Sequence, residues 1–574
     1  MRGAILGLTM GDMWKASTRR NFLRGSLAVG ATALLPASMN AANAGNFSEL
    51  VDRDLKERHE PQPLDPAEFQ PFMHGVASGD PLPQSVILWT RVTPDATAVP
   101  GSGRGEDVRL HWQVALDVDF AEVVRAGEVV ASADSDHTVH VDPWNLQPNT
   151  EYFYRFTILS GKYVGTTSKV GRTKTAPAYS GRVDALRFAV CSCANFESGY
   201  FSAYSDIAKR AAKNEIDAVI HLGDYIYEYA SGVYTGGYGV VRPHEPTWEI
   251  VSLADYRTRY GRYRRDAELQ AAHGAAPWIV MWDDHEIANN AWSDGAAGHN
   301  PWKGAWADRK AAAQQAYLEW LPVRWDNRLY RSLKFGDLAE LTMLDLRSYR
   351  SKQSTLTKAA DPERTMLGSE QTDWLFKKLA HQETRWSVIG TSVMLTPVSM
   401  VGLDSTLSGA VSRLIGEDAS GVPYNLDQWD GYAADRAKIL NLLAEREQPS
   451  AVFLAGDIHS EWASLIHHEG AVVGAELVCT SVSAPNVDDF LGARAARMAA
   501  DHLRGANPHI SHVELAAHGF SVVEFSRASV SMQWMRVDDV TVAGSPIGPA
   551  ASARLSTLTA GENVELSLTV SDYV

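Results

Sequence analysis

Three times in this chain an apolar, strand-like run breaks off into acidic and histidine side chains: His221-Leu-Gly-Asp-Tyr-Ile-Tyr-Glu228, Trp282-Asp-Asp-His-Glu286 and Gly456-Asp-Ile-His-Ser460. Buried strands with charged tips restrict the fold sharply. Neighbouring carboxylates repel one another or shift their pKa values unless cations or hydrogen bonds compensate, so the tips must be gathered where compensation is available. Hard cations take oxygen ligands and softer ones take nitrogen. Carboxylates and imidazoles delivered by several strand ends to one sheet edge are what a multinuclear metal site needs, and the chain reads first as a metalloenzyme.

The order of elements supports this. Apolar runs at 185–190, 216–221, 277–281, 338–344, 387–390 and 451–455 alternate with helical patterns at 202–213, 309–321 and 433–446. Strands separated by helices imply a layered α/β domain, placed here at 184–540. Upstream, residues 69–177 read as β: Val108, Leu110, Trp112, Val114 and Leu116 alternate with Arg109, His111, Gln113 and Ala115. Leu146-Gln-Pro-Asn-Thr-Glu-Tyr152 resembles the tyrosine corner of immunoglobulin-like and fibronectin-like sandwiches. A small β-sandwich is expected there as a scaffold, with Trp89, Trp112 and Tyr152 in its core. Strand-like alternation returns at 519–525, 530–537 and 565–570 and is expected to complete a sheet of the large domain, with 541–574 as a C-terminal extension. A Gly- and Ser-rich stretch at 402–425 lacks periodicity and reads as a loop or lid beside the site.

At 574 residues the chain exceeds one ordinary core. Its formal net charge of -16 makes nucleic acid an unsuitable partner, because affinity for nucleic acid rests on Lys and Arg neutralising phosphates. The exception to this acidity is the start. Ser17-Thr-Arg-Arg-Asn-Phe-Leu-Arg24 places paired arginines before a moderately apolar stretch, followed by Ala42-Asn-Ala44. This resembles a twin-arginine export signal at 1–44, followed by a polar linker at 45–68. It implies the export machinery as a partner and a periplasmic or secreted protein. The apolar stretch falls short of a membrane span, and no later segment reads as transmembrane. Since that route exports proteins already folded, often with cofactors, signal and metal reading support each other. The three cysteines, Cys191, Cys193 and Cys479, are too few for a disulfide framework.

Gly223 allows a sharp turn that points Asp224 off its strand, where one carboxylate can bridge two cations. Tyr227, three residues on, is near enough in a tight loop to share an ion, and phenolate is a ligand of ferric iron in some proteins; Tyr225 and Tyr229 read as packing residues. In Asp283-Asp284-His285-Glu286, Asp284 is the expected ligand and His285 a base, acid or phosphate contact. Asp457 and His459 are two apart, which on an extended tip points both to one side. Cys193 stands at the end of the first strand, where a Lewis-acidic ion would keep a thiolate deprotonated. Arg347, in Leu344-Asp-Leu-Arg-Ser-Tyr-Arg350, is either a phosphoryl contact through its planar fork or a member of an ion pair.

In this order the clusters, together with Gly75-Val-Ala-Ser-Gly-Asp80, Leu88-Trp-Thr-Arg91, Ser192-Cys-Ala-Asn-Phe-Glu-Ser-Gly-Tyr-Phe201, Asp255-Tyr-Arg257 and Asn507-Pro-His509, resemble the PhoD-type alkaline phosphatase and phosphodiesterase family of calcineurin-like metallophosphoesterases. The resemblance covers nearly the whole chain. It implies a layered metallophosphoesterase domain, a β-sandwich flanked by helices, behind the smaller sandwich. It also implies that Cys193, Asp224, Tyr227 and His459 hold ferric iron (Fe3+), while Asp284 and Asp457 hold calcium (Ca2+), with Asp224 bridging. Where the wider superfamily has Gly-Asn-His-Glu and Gly-His-x-His, this chain has Asp284 and Asp457 in place of the Asn and first His, and carboxylates favour the harder ion. The expected reaction is hydrolysis of a phosphate ester by a metal-bound hydroxide, assisted by His285 or Arg347. The rivals are a phosphodiesterase or phospholipase D-like enzyme on lipid, nucleotide or wall-polymer diesters, and a non-catalytic binding module stabilised by metal.

Overall fold

A computed structural model describes residues 63–65, 69–402, 421–446, 449–560 and 563–572. The export signal at 1–44, nearly all of the linker at 45–68 and most of the stretch at 402–425 lie outside the described residues.

Two large mixed sheets dominate. The first runs in the order Asn563–Asp572, Ile547–Ala560, Ser529–Val537, His518–Ser526, Ala185–Cys191, Ala218–His221, Pro277–Val280, Val76–Leu82, Ser85–Arg91, Thr138–Val141. Its centre is parallel: Ala185–Cys191, Ala218–His221, Pro277–Val280 and Val76–Leu82 run the same way. The second runs Arg331–Phe335, Ala339–Met343, Trp386–Gly390, Ala451–Ala455, Ala471–Val478, Glu461–His468, Ile510–Glu514, again with a parallel centre. Parallel strands need crossovers, and helices Ser202–Ala212, Leu253–Arg264 and Ala267–Ala275 supply them on one side while Gly368–Ala380 and Ala433–Ala444 supply them on the other.

The two sheets are locked by buried aromatics. Phe188 of the first meets Phe335 of the second edge-on, with ring centroids 5.3 Å apart. The indole N–H of Trp534 donates to Val478 O at 3.0 Å, and that of Trp386 donates to Ser526 O at 2.7 Å, so each sheet sends a tryptophan to the other's backbone. Burying one such ring contributes roughly 4–6 kcal/mol of transfer free energy. Those bonds also satisfy the polar edge of the indole.

The N-terminal region is a sandwich that shares its second sheet. Val123–Ala131, Val108–Ala115, Glu151–Ile158 and Gly171–Lys174 form one antiparallel sheet. Facing it are Val76–Leu82, Ser85–Arg91 and Thr138–Val141, which continue the first large sheet through the pairing of Ser78 with Pro277. Leu88, Leu110, Val114, Tyr152, Tyr154 and Phe156 fill the space between them. At the tyrosine corner the Gln147 N–H donates to the Tyr152 hydroxyl at 2.8 Å. At the other end of the chain, Ile547–Ala560 and Asn563–Asp572, from the segment the sequence sets apart at 541–574, extend the first sheet to its edge.

Several residues of the sequence resemblance are structural. Asp80 pairs with Arg331 at 2.6 Å where the two regions join. Asp255 closes a capping box with Ser252 at the start of helix Leu253–Arg264, and Arg257 pairs with Glu319 at 2.6 Å. Asn507 bonds both to the N–H and to the carbonyl of Ser399.

Candidate metal centre

Parallel strands in both sheets end at one edge, the usual place for a ligand in an open α/β sheet. The loops there are stitched together. The Cys193 N–H donates to Gly223 O at 3.1 Å, and the Ala194 N–H donates to Asp224 O at 2.9 Å. Gly223 has φ 112°, and a Cβ on it would lie 2.4 Å from Asp283 Cβ, so only glycine lets these two strand ends approach. Glu286 ties the same loops: its Oε2 accepts from the N–H groups of Asp224 (3.1 Å) and Asp283 (2.8 Å), and burial pushes its carboxyl up to about 7.

Four of the predicted ligands sit in left-handed backbone: Cys193 (φ 58°), Asp224 (55°), Asp457 (64°) and His459 (52°). Non-glycine residues seldom adopt this region, and when they do they gather at functional sites. Their side chains converge. Donor atoms lie within 4.8 Å of one another in three overlapping groups: Cys193, Asp224 and His459; Asp224, Asp284 and His285; and Asp283, Asp284 and Asp457. Asp224 and Asp284 are the shared members. Tyr227 joins the first group, since its hydroxyl donates to Asp224 Oδ2 at 2.9 Å and lies 3.2 Å from His459 Nε2.

The imidazoles are held by opposite means. His459 Nδ1 donates to Pro485 O at 2.7 Å, which leaves Nε2 as the lone-pair nitrogen, and burial lowers the ring to about 4. It is a neutral donor. His285 Nδ1 meets Glu228 Oε2 at 2.7 Å, and the ring stacks on Tyr227 with centroids 4.3 Å apart. Burial pulls His285 down, but Asp284, Asp224 and Glu228 outweigh it and hold the imidazole well above its ordinary range.

Arg347 is enclosed in a network of ion pairs that is buried and not at the surface. It is fully buried, grips Asp283 through Nε and Nη2, and lies 2.8 Å from Asp427, 3.2 Å from Asp457 and 3.4 Å from Asp284. Asp427 pairs with Arg350 as well, at 2.6 Å, and despite burial the two guanidiniums hold its carboxyl well below the usual range. By contrast, among the described residues Asp224 forms no ion pair with lysine or arginine; burial and neighbouring carboxylates push it well up, against the pull of His285. Burial and Asp224 likewise raise Cys193 and Tyr227.

These groups fit metal ions. Asp224 Oδ1 and Asp284 Oδ1 are buried without a hydrogen-bond partner, although buried carboxylate oxygens are normally satisfied. The donors also differ in kind. Sulfur, phenol oxygen and imidazole beside Asp224 suit a Lewis-acidic transition ion, whereas Asp283, Asp284 and Asp457 suit a hard one.

All six predicted ligands and His285 are thus brought together. Sequence reasoning gave no role to Glu228, which lies four residues past Asp224 inside the first cluster, nor to Asp427, which follows no apolar run. For Glu228 its place in the tip was a signal; for Asp427 there was none.

Two sheets packed face to face with donors on their strand ends define a metallophosphoesterase, and the fold implies bound metal ions. The model of the PhoD-like phosphatase family matches residues 188–534, that of the family's N-terminal domain matches 59–177, and a twin-arginine translocation signal matches 17–36. The chain belongs to the PhoD-like phosphatase family and is a phosphoric ester hydrolase. It is 39% identical over 467 residues to alkaline phosphatase D of Bacillus subtilis, covering 77% of this chain and 73% of that protein. A solved structure of PhoD superposes with a TM-score of 0.75 at 34% identity, over 88% of this chain and 93% of the other. The purple acid phosphatase PPD1 of yellow lupin, Lupinus luteus, shares the fold at a TM-score of 0.50 and 12% identity, over 84% and 73%. The signal directs the chain through the twin-arginine route, to the periplasm or outside the cell. Among the described residues no helix is long and apolar enough to cross a membrane.

Proposed function

We propose that this centre hydrolyses phosphate esters with Cys193, Asp224, Tyr227 and His459 holding a ferric ion and with Asp284 and Asp457, beside the shared Asp224, holding calcium. The observation that carries this reading is the run of overlapping donor groups, in which Asp224 and Asp284 each belong to two and each present an oxygen with no hydrogen-bond partner. When bound, such ions neutralise charge on phosphoryl oxygens and acidify water for attack in line with the leaving group.

The chain's own residues supply orientation and proton handling. With Nδ1 committed to Glu228, His285 has Nε2 as its remaining nitrogen. It donates to a phosphoryl or leaving oxygen, the role of a general acid. Glu228 is fixed in turn by the Asn289 N–H, which donates to Oε1 at 2.6 Å. Arg347 spends its guanidinium on four carboxylates and acts on substrate by holding them in place. Monoester hydrolysis follows the named activity of the Bacillus relative.

The test is elemental analysis of purified wild type and Asp224→Asn beside rates on chromogenic mono- and diesters. Wild type should contain iron and calcium and turn over the monoester faster. Asp224→Asn should lose both metal and activity. A metal-free protein with normal turnover sinks the proposal, and faster diester cleavage reverses the substrate preference.

A further inference from the structure

Ser192 lies between two sulfurs. It is buried at the point where the first sheet's strand bridges to Ser481, and its carbonyl accepts the Val482 N–H at 3.0 Å. Its Oγ is 3.2 Å from Cys193 Sγ and 3.4 Å from Cys479 Sγ. Cys479 is buried behind it, and its S–H donates to Ala455 O at 3.5 Å. The hydroxyl occupies a space that another residue leaves open. A Cβ built on Gly456 would fall 2.5 Å from Ser192 Oγ and 2.8 Å from Ser192 Cβ, so glycine just before the ligand tip Asp457 is what admits it.

We propose that Ser192 is a positioning residue for the metal, its hydroxyl donating to the sulfur of Cys193. The inference rests on the reading of Cys193 as an ion ligand. A ligating thiolate carries no hydrogen, so the serine O–H is the donor of that pair. A hydrogen bond to a ligating sulfur orients it and draws off part of its charge. The affinity and reduction potential of the ion respond to both. Cys193 reaches the centre already turned, and the Ser192 hydroxyl sets how strongly its sulfur donates.

The test uses the full-length protein purified with its own metal. Three quantities are compared in wild type, Ser192→Ala, Gly456→Ala and Cys193→Ser: iron content, the position of the sulfur-to-iron charge-transfer band, and the rate of iron loss to a chelator. Ser192→Ala should move the band to longer wavelength, because an unbonded thiolate gives up its electrons more readily, and should weaken iron binding roughly 10-fold or more. Gly456→Ala displaces the hydroxyl without removing it and should shift the band the same way, which keeps the test open if Ser192→Ala does not fold. A merely structural serine would lower thermal stability and leave the band in place. If Cys193→Ser abolishes the band while Ser192→Ala matches wild type in band and retention, the inference is overturned and the ligand reading stands. If wild type lacks iron, or Cys193→Ser keeps band and iron unchanged, the ligand reading itself fails and takes the inference with it.

Discussion

Asp224 and its partners Cys193, Tyr227 and His459 face one another with, among the described residues, no arginine or lysine paired to the carboxylate, whereas a few ångströms away Asp283, Asp284, Asp457 and Asp427 crowd around Arg347. Both pockets are buried and rich in potential negative charge, yet the protein compensates only one. In the first, burial and the neighbouring acidic groups push the thiol, the phenol and the carboxyl upward. In the second a guanidinium supplies positive charge permanently. The first pocket thus leaves compensation to a bound cation, whereas the second already holds an arginine.

The largest expected effect comes from removing the residue common to both halves. Asp224→Asn should lower kcat/KM by about three orders of magnitude, the several kcal/mol that bound ions supply to a transition state, with both metals depleted in elemental analysis. Retention of either metal at wild-type stoichiometry would separate the pockets and break the comparison. Next is Arg347→Met, which strands carboxylates in the interior and should cost about 3–5 kcal/mol in denaturant unfolding, partly recovered with added calcium. Unchanged stability with lost activity would instead make Arg347 a substrate contact. Glu228→Gln should leave metal content intact and reduce kcat roughly 10- to 100-fold by freeing the His285 ring, and, because Glu228 helps to raise the imidazole, should move the alkaline limb of the pH profile to lower pH. An unaltered profile would remove His285 from proton transfer. A comparable effect is expected on stability under metal exchange: calcium added to chelator-treated protein should stabilise it by about 2.7 kcal/mol at a hundredfold excess over Kd, read as a rise in Tm. A flat Tm would show that the carboxylate pocket binds no calcium.

The strand tips were legible because each joins two local signals, an unbroken apolar run and an abrupt acidic end. The predicted run at 451–455 is the strand Ala451–Ala455, and that at 277–281 is the strand Pro277–Val280. What was hidden depends on distance or on unusual burial. That Val76–Leu82 would pair with Pro277–Val280 and merge the small sandwich into the large sheet is a long-range choice of partner, which periodicity cannot express. Helix Leu253–Arg264 escaped because Arg257, Arg259, Arg262 and Arg264 interrupt any apolar stripe. Arg259 and Arg264 are nonetheless wholly buried, with Arg259 bonded to the carbonyls of Glu245, Tyr229, Pro246 and Trp248. Asp427 reaches the centre from a stretch with no pattern, and only its bonds to Arg347 and Arg350 reveal it.

The left-handed backbone at Cys193, Asp224, Asp457 and His459 bears on which substitutions these positions can accept. That conformation costs an ordinary L-residue about 1–2 kcal/mol, with Asn and Asp among the few that enter it routinely. Asp224→Asn and Asp457→Asn therefore change charge and leave the turn undisturbed, whereas a β-branched residue at 193 would strain the backbone before any ligand chemistry was lost. Short polar side chains that tolerate the turn are also those that bind cations. At these four positions, turn geometry and metal chemistry filter the amino-acid alphabet in the same direction.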